Sequence, residues 1–170
     1  MTVDLNALAV RAAASGRRPV VLIDGRSGAG KSTLARTLAP LIGAQLVSLD
    51  DVYPGWDGLE AGSAAVAETV LRERDPGWRR WDWASERPAE WHPVDPAAPI
   101  VIEGCGALSR ANRALATFGI WVELRSAERR RRAFERDTGF AAHWDRWARQ
   151  ERAFAAREHP RELADVFVPG

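Results

Sequence analysis

The sequence predicts an α/β fold in which a parallel β-sheet is covered by helices on both faces. Three observations carry this expectation. Short apolar runs at Val20–Ile23, Ile100–Ile102 and Gly119–Leu124 have the length and residue types of buried strands. Segments of helical length and period stand between them, the alternation that parallel sheets require. A glycine-rich loop joins the first of these strands to the helix that follows it.

Taken in order, Asp4–Ser15 places Leu5, Leu8, Ala9 and Ala12 at helical spacing, with Gly16 as its stop. Val20–Ile23 is the first strand, and Lys31–Leu41 a helix after the glycine loop. Gln45–Leu49 reads as a second strand and Ser63–Arg74 as a helix. Residues 75–99 form a Pro- and Trp-rich stretch to which no regular element is assigned. Ile100–Ile102 is the third strand, Ala107–Ala116 a helix, and Gly119–Leu124 the fourth strand. Ser126–Asp137 is a strongly basic helix, Ala141–Glu158 a further one, and Asp165–Val168 a short closing strand. The period leaves the strand order open, but in such sheets ligands bind at the carboxyl ends of the strands.

At 170 residues the chain has the size of one domain, with residues 75–99 on its acceptor side and a short lid within 129–149. Its 24 basic and 23 acidic residues nearly cancel, so no net field draws it to nucleic acid or an anionic membrane. No apolar run approaches the ~20 residues of a membrane span, and the first residues lack the pattern of a signal peptide. Cys105 is the only cysteine, which excludes an intrachain disulfide and a thiolate metal cluster. Together these features predict a reducing, cytoplasmic setting; they give no oligomeric state. Lys31 is the only lysine among the 24 basic residues, so its position needs a reason.

The reason lies in the motif Gly25-Arg26-Ser27-Gly28-Ala29-Gly30-Lys31-Ser32, which matches G-x-x-x-x-G-K-[ST] between a buried strand and a helix. Such glycines let the backbone curl until successive N–H groups converge on phosphate oxygens, beside the positive end of a helix. Lys31 is placed to reach the β- and γ-phosphates of ATP, and the Ser32 hydroxyl to ligate Mg²⁺. Gly25, Ser27, Gly28, Ala29, Gly30, Lys31, Ser32 and Thr33 are the candidate nucleotide-binding residues. A GTPase reading wants N-K-x-D, and the chain has no second lysine to supply it. Motors and transporter subunits need larger domains. A small-molecule kinase remains.

Here the chain resembles the uridine kinase-like group of P-loop kinases, which includes phosphoribulokinase and nicotinamide riboside kinase. The resemblance rests on the P-loop with its flanks, and on Ser48-Leu49-Asp50-Asp51-Val52-Tyr53, similar to the family's Q-D-S-F-Y segment. It rests also on Ile102-Glu103-Gly104, similar to F-E-G, on Arg131-Arg132 with Arg136-Asp137, similar to R-R-x-x-R-D, and on the ending Ala164–Val168. It implies a P-loop kinase-like sheet with a short lid. It further implies γ-phosphoryl transfer from Mg-ATP to a hydroxyl of a small, nucleoside-like acceptor.

The residues support those roles chemically. Asp50, at the carboxyl end of a strand, is positioned to accept or orient the hydroxyl proton, with Asp51 as second choice. Asp50 or Asp51 capping the next turn is the structural alternative. Glu103 at another strand end joins Ser32 as a candidate Mg²⁺ residue. Arg132 and Arg136, four apart on one helix face, are the candidate lid arginines, whereas Arg129 and Arg130 are expected on the solvated surface. After Asp137 the family carries a further arginine in a longer lid; here Thr138–His143 follows, so Arg146 or Arg149 takes that role or the lid is short.

On the acceptor side, Asp57 stands where the family presents a carboxylate to ribose hydroxyls, and Tyr53, Trp56, Trp81 and Trp83 offer aromatic faces. Glu86 falls where the family's acceptor-reading histidine stands, which loosens any inference of a pyrimidine nucleoside. Trp121, Trp144 and Trp147 are expected to pack in the core. His92, His143 and His159 follow no zinc spacing. Two other readings stay open: a nucleoside monophosphate kinase, and a nucleotide-binding regulatory module without turnover.

Overall fold

The computed structural model describes residues 4–136 and 138–170, apart from the side chains of Arg136 and Thr138. Five parallel strands form the central sheet: β1 (Val20–Asp24), β2 (Gln45–Ser48), β5 (Ile100–Glu103), β6 (Phe118–Glu123) and β7 (Val166–Pro169), in the order β2-β5-β1-β6-β7. β1 lies at the centre and is buried along its whole length. Its side chains divide by the period of two. Val21 and Ile23 meet α1 (Leu5–Ala13) and α2 (Lys31–Leu41) through Leu8, Ala12, Leu34 and Leu38. Val20 and Leu22 join the opposite core with Leu59, Leu108 and Phe154 from α3 (Leu59–Ala65), the loop before α4 (Arg110–Leu115), and α6 (Trp144–Glu158). Each such side chain, fully buried, contributes about 1.5–3 kcal/mol of transfer free energy.

Where the elements differ from the sequence expectation, a tertiary contact is the cause. The helix expected at Ser63–Arg74 begins earlier, at Leu59, and ends through a π-turn at Val66–Val70. Gly58 offers no side-chain cap; the Leu59 N–H instead donates to Oε1 of Gln150, 91 residues away, at 3.3 Å. The helix expected at Ala107–Ala116 is confined to α4, capped by Ser109, because the N–H groups of Gly106 and Leu108 donate to the Asp24 carboxylate. Thr138–His143 forms 3₁₀ turns before α6, between it and α5 (Ser126–Arg136).

Residues 75–99, for which the sequence predicts no regular element, contain an antiparallel hairpin, β3 (Gly77–Asp82) with β4 (Arg87–Pro93). Cross-strand pairs hold it: Trp78 stacks on His92, and Arg80 ion-pairs with Glu90. Asp82 closes the turn by accepting from the Ala84 and Ser85 N–H groups. Pro88 and Pro93 obscured the strand signal, yet a two-stranded ribbon has edges on which their missing N–H costs nothing. Among the described residues no helix is long and apolar enough to cross a membrane.

Candidate active site

The site forms where β1, β2 and β5 end. Asp24 closes β1 and is buried, its Oδ1 accepting from the N–H groups of Gly25 (2.6 Å) and Gly106 (3.2 Å), its Oδ2 from Leu108 (2.8 Å). Burial pushes its pKa up to about 6 against the pull of these donors and of Lys31. One carboxylate thus ties the start of the glycine loop to the loop after β5. The glycine loop then curls with Gly28 at φ +78° and Gly30 at φ +102°, and delivers the chain into α2 at Lys31.

Lys31 is buried, its Nζ 3.3 Å from the Arg26 carbonyl oxygen and 3.4 Å from Cys105 Sγ. Burial opposes its charge, but the fields of Cys105, Glu103, Asp24 and Glu151 outweigh burial and hold its pKa above the ordinary lysine value. Burial also pushes the Cys105 thiol up to about 12, so at neutral pH the carboxylates supply that field. Glu103, at the end of β5, accepts from Ser48 Oγ at 2.6 Å, and the Ser32 side chain lies close enough to pull its pKa down slightly. Its pKa is raised by burial despite Lys31. Ser32 and Glu103, the two expected Mg²⁺ residues, are therefore neighbours. A hydroxyl beside a carboxylate at the mouth of a phosphate loop fits a magnesium ion that keeps most of its ligands as water and phosphate oxygen. Among the described residues no cluster of three His, Cys, Asp or Glu side chains offers an all-protein metal cage.

Two of the cavities beside the loop bring expected site residues together. The first, about 150 Å³, is lined by Gly28, Gly30, Lys31, Ser32, Thr33, Arg132 and Ala133, so five of the eight expected nucleotide-binding residues and one expected lid arginine meet there. Arg132 is half exposed and its Nε donates to Glu128 at 3.1 Å. The Arg136 side chain and Asp137 lie outside the described residues. Arg129, expected on the surface, is instead buried: its Nη1 donates to the Ser27 carbonyl oxygen and its Nε to that of Leu124. Four consecutive arginines spaced about 100° apart must turn one inward when the helix packs, and backbone carbonyls receive it. Arg130 stays outside, over Phe134.

The second cavity, about 250 Å³, is lined by Ser27, Asp50, Tyr53, Trp56, Trp83, Phe140 and Trp147. Asp50 stands on the 3₁₀ turn after β2, and Ser27 belongs to the glycine loop, so the candidate base and the phosphate loop share one space. The hairpin tip closes one wall, Trp83 Nε1 donating to the Asp50 carbonyl oxygen at 2.9 Å. Tyr53 is buried, its hydroxyl donating to the Cys105 carbonyl oxygen. Trp56 stacks on His143 and Phe140 and lies edge-on to Trp147. Trp81 does not line this cavity, and Asp57 forms a bidentate ion pair with Arg146, which holds its pKa below the usual carboxylate range. Asp51, beside Asp50, is pushed up by burial and by that neighbour's charge.

Glu151 and Phe140 carry no role in the sequence expectation, and Trp147 only a core-packing one. Glu151 is buried, and its Oε1 accepts the Ser27 N–H at 2.7 Å and lies 3.2 Å from Cys105 Sγ. Its signal was present: Trp147, Glu151 and Phe154 share one helix face, and a carboxylate on an apolar stripe asks for a buried donor. Trp147 packs in the core as expected and also forms a cavity wall.

The strand order and the loop after the central strand define a P-loop nucleotide-binding fold. Solved structures narrow it. A putative fructose transport system kinase from Silicibacter sp. TM1040 superposes with a TM-score of 0.69 at 22% identity, covering 98% of this chain and 100% of that one. A possible uridine kinase from Bacillus stearothermophilus gives 0.63 at 17%, covering 96% of each chain. Shikimate kinase from Acinetobacter baumannii gives 0.53 at 18%, covering 89% of this chain and 83% of that one. The chain shares the fold of these P-loop kinases. In sequence, it is 38% identical over 65 residues to a bifunctional pantoate ligase/cytidylate kinase of Parasynechococcus marenigrum, spanning 35% of this chain and only 13% of that protein. No family model matches the chain.

Proposed function

We propose that this chain is an ATP-dependent phosphotransferase that moves the γ-phosphoryl group of Mg-ATP to a hydroxyl of a small molecule, nucleoside-like by resemblance. The observation that carries the reading is the shared cavity, with Asp50 on one wall and Ser27 of the phosphate loop on another. A hydroxyl hydrogen-bonded to Asp50 there faces the end of the loop where a terminal phosphate is presented.

In this reading Asp50 accepts the hydroxyl proton as the new P–O bond forms and the bond to ADP breaks. Lys31 and the N–H groups of residues 28–33 hold the phosphates, and Arg132 screens the charge of the transferring group from the lid side. Arg136, one turn beyond Arg132, is the second lid arginine we assign. Ser32 and Glu103 would hold the magnesium ion, whose chemistry is to neutralise phosphate charge. The aromatic walls exclude water, which would otherwise compete as acceptor. A reducing, cytoplasmic setting suits the single buried thiol, Cys105.

The test is ADP release from Mg-ATP by the purified chain over a panel of nucleosides, nucleoside monophosphates, polyols and amino alcohols, with Lys31→Ala and Asp50→Asn alongside. Acceptor-dependent release, abolished by Lys31→Ala and cut about 10²-fold or more by Asp50→Asn, is expected. ATP binding without release over the whole panel would favour the regulatory module instead.

A further inference from the structure

The charge balance of the acceptor cavity points to a substrate class. Five of its seven lining residues are aromatic, one is the acidic Asp50 and one is Ser27. None is an arginine, lysine or histidine. Arg146, next to Trp147, is engaged bidentately by Asp57, and His143 is stacked on Trp56. A phosphate or carboxylate on the acceptor would enter beside Asp50 with no cation among the described lining residues to compensate its lost hydration, and would face the phosphates held by the glycine loop. A cation suffers neither penalty. Aromatic faces attract it through their quadrupoles, most strongly those of tryptophan, and three of the five walls are tryptophan.

We propose that the acceptor is a small hydroxylated organic cation, its hydroxyl on Asp50 and its positive group in the box formed by Trp56, Trp83 and Trp147 with Tyr53 and Phe140. This rests on the kinase reading for the placement of the hydroxyl, but the charge preference is a property of the cavity itself. At about 250 Å³ the cavity is smaller than the ~300–1,000 Å³ typical of drug-sized ligands, so it suits a compact acceptor. The substrate specificity follows: neutral isosteres bind more weakly, and phosphorylated acceptors are rejected.

The experiment compares three probes of similar size with one hydroxyl each: choline, its uncharged isostere 3,3-dimethylbutan-1-ol, and the anion 3-hydroxy-2,2-dimethylpropanoate. Dissociation constants for the full chain are read by calorimetry and by quenching of tryptophan fluorescence, with Mg-ADP present. Choline is expected to bind about ten-fold or more tighter than the neutral isostere, with the anion weakest. Trp83→Leu is expected to remove most of choline's advantage while changing the isostere's constant less. Equal or tighter binding of the isostere or the anion overturns the proposal, and so does failure of choline to bind at any concentration reached. Because binding requires no turnover, a chain that never forms ADP would defeat the kinase reading and leave the charge preference measurable. Turnover of a nucleoside monophosphate or a neutral polyol in preference to every cationic alcohol would defeat the charge preference alone.

Discussion

The carboxylate of Glu151 on α6 accepts the backbone N–H of Ser27 in the phosphate loop at 2.7 Å, and both residues are buried. One residue earlier, Gln150 donates to the Trp56 carbonyl oxygen at 2.7 Å and accepts from the Leu59 N–H. One turn earlier, Trp147 forms a wall of the acceptor cavity. A single helix therefore holds both the glycine loop, at Ser27, and the segment from Trp56 to Leu59. Glu151→Ala leaves the Ser27 N–H buried without a partner, a loss of about 1–3 kcal/mol. Glu151→Gln keeps an accepting oxygen and is expected to retain most of that stability. Urea unfolding measures both, and steady-state kinetics should show a KM for ATP raised more in the alanine variant than in the glutamine variant. Indistinguishable variants would mean that Glu151 does not fix the loop through this bond.

Gly28 makes a second prediction about the same loop. It sits at φ +78°, and a Cβ there would collide with the Arg129 carbonyl oxygen on α5. Gly28→Ala must strain the backbone and push the helix away, at a cost of about 1–3 kcal/mol. Because α5 carries Arg132, the variant should lose ATP affinity beyond what the stability loss explains. Calorimetric titration with Mg-ADP at a temperature where the variant stays folded separates the two effects.

The sheet, the phosphate loop and the terminal helices were legible because their signals are local: β1 is an unbroken apolar run, and the loop motif spans eight residues. The α3 start was not, because its cap comes from Gln150 rather than from its own neighbours. The hairpin was hidden because its strands are held by cross-strand pairs such as Arg80–Glu90, which have no sequence period. Within the candidate site, Lys31, Ser32 and Arg132 line one cavity and Asp50 shares another with Ser27, while Trp81 lines neither and Asp57 is engaged by Arg146. Glu151 and the inward Arg129 serve backbone groups far away in sequence, and a chain without coordinates does not show which backbone groups lack partners.

Asp24 gives the fold a pH signature. Its pKa in the folded chain is raised to about 6, above the ordinary value of 3.8, so the native state binds this proton more tightly than the unfolded one. The associated stability is fully present below about pH 4 and is lost as pH rises through about 6. Over that window the loss is about 3 kcal/mol for a shift of this size. Other carboxylates shift downward, Glu90 to about 2 through Arg80 and Glu128 through Arg131, so total stability runs partly the opposite way. The Asp24 part is isolated by difference. Asp24→Asn is less stable overall, since its amide cannot accept from all three N–H groups, and its deficit relative to the wild type should shrink as pH rises from 4 to 7. A deficit independent of pH in urea melts would show that Asp24 titrates normally.

Arg132 tests the lid assignment. It lines the cavity beside Lys31 and Ser32, yet its only hydrogen bond among the described residues runs to Glu128, which Arg131 also engages at 2.5 Å. Exposed pairs of this kind contribute roughly 0–1 kcal/mol, so Arg132→Ala should leave the melting temperature nearly unchanged. If Arg132 stabilises the transferring phosphoryl group, the same variant should lower kcat about 10²–10³-fold with a smaller change in KM for ATP. Arg132→Lys keeps the charge but not the planar fork, and should recover only part of the loss. Glu128→Gln, which releases Arg132 from its partner, should change kcat by no more than a few fold in either direction. A kcat untouched by Arg132→Ala would move the lid charge to Arg136, whose alanine variant would then carry the loss. The pairing of an unchanged melting temperature with a collapsed kcat is what separates a charge acting on the reaction from one that only decorates a helix.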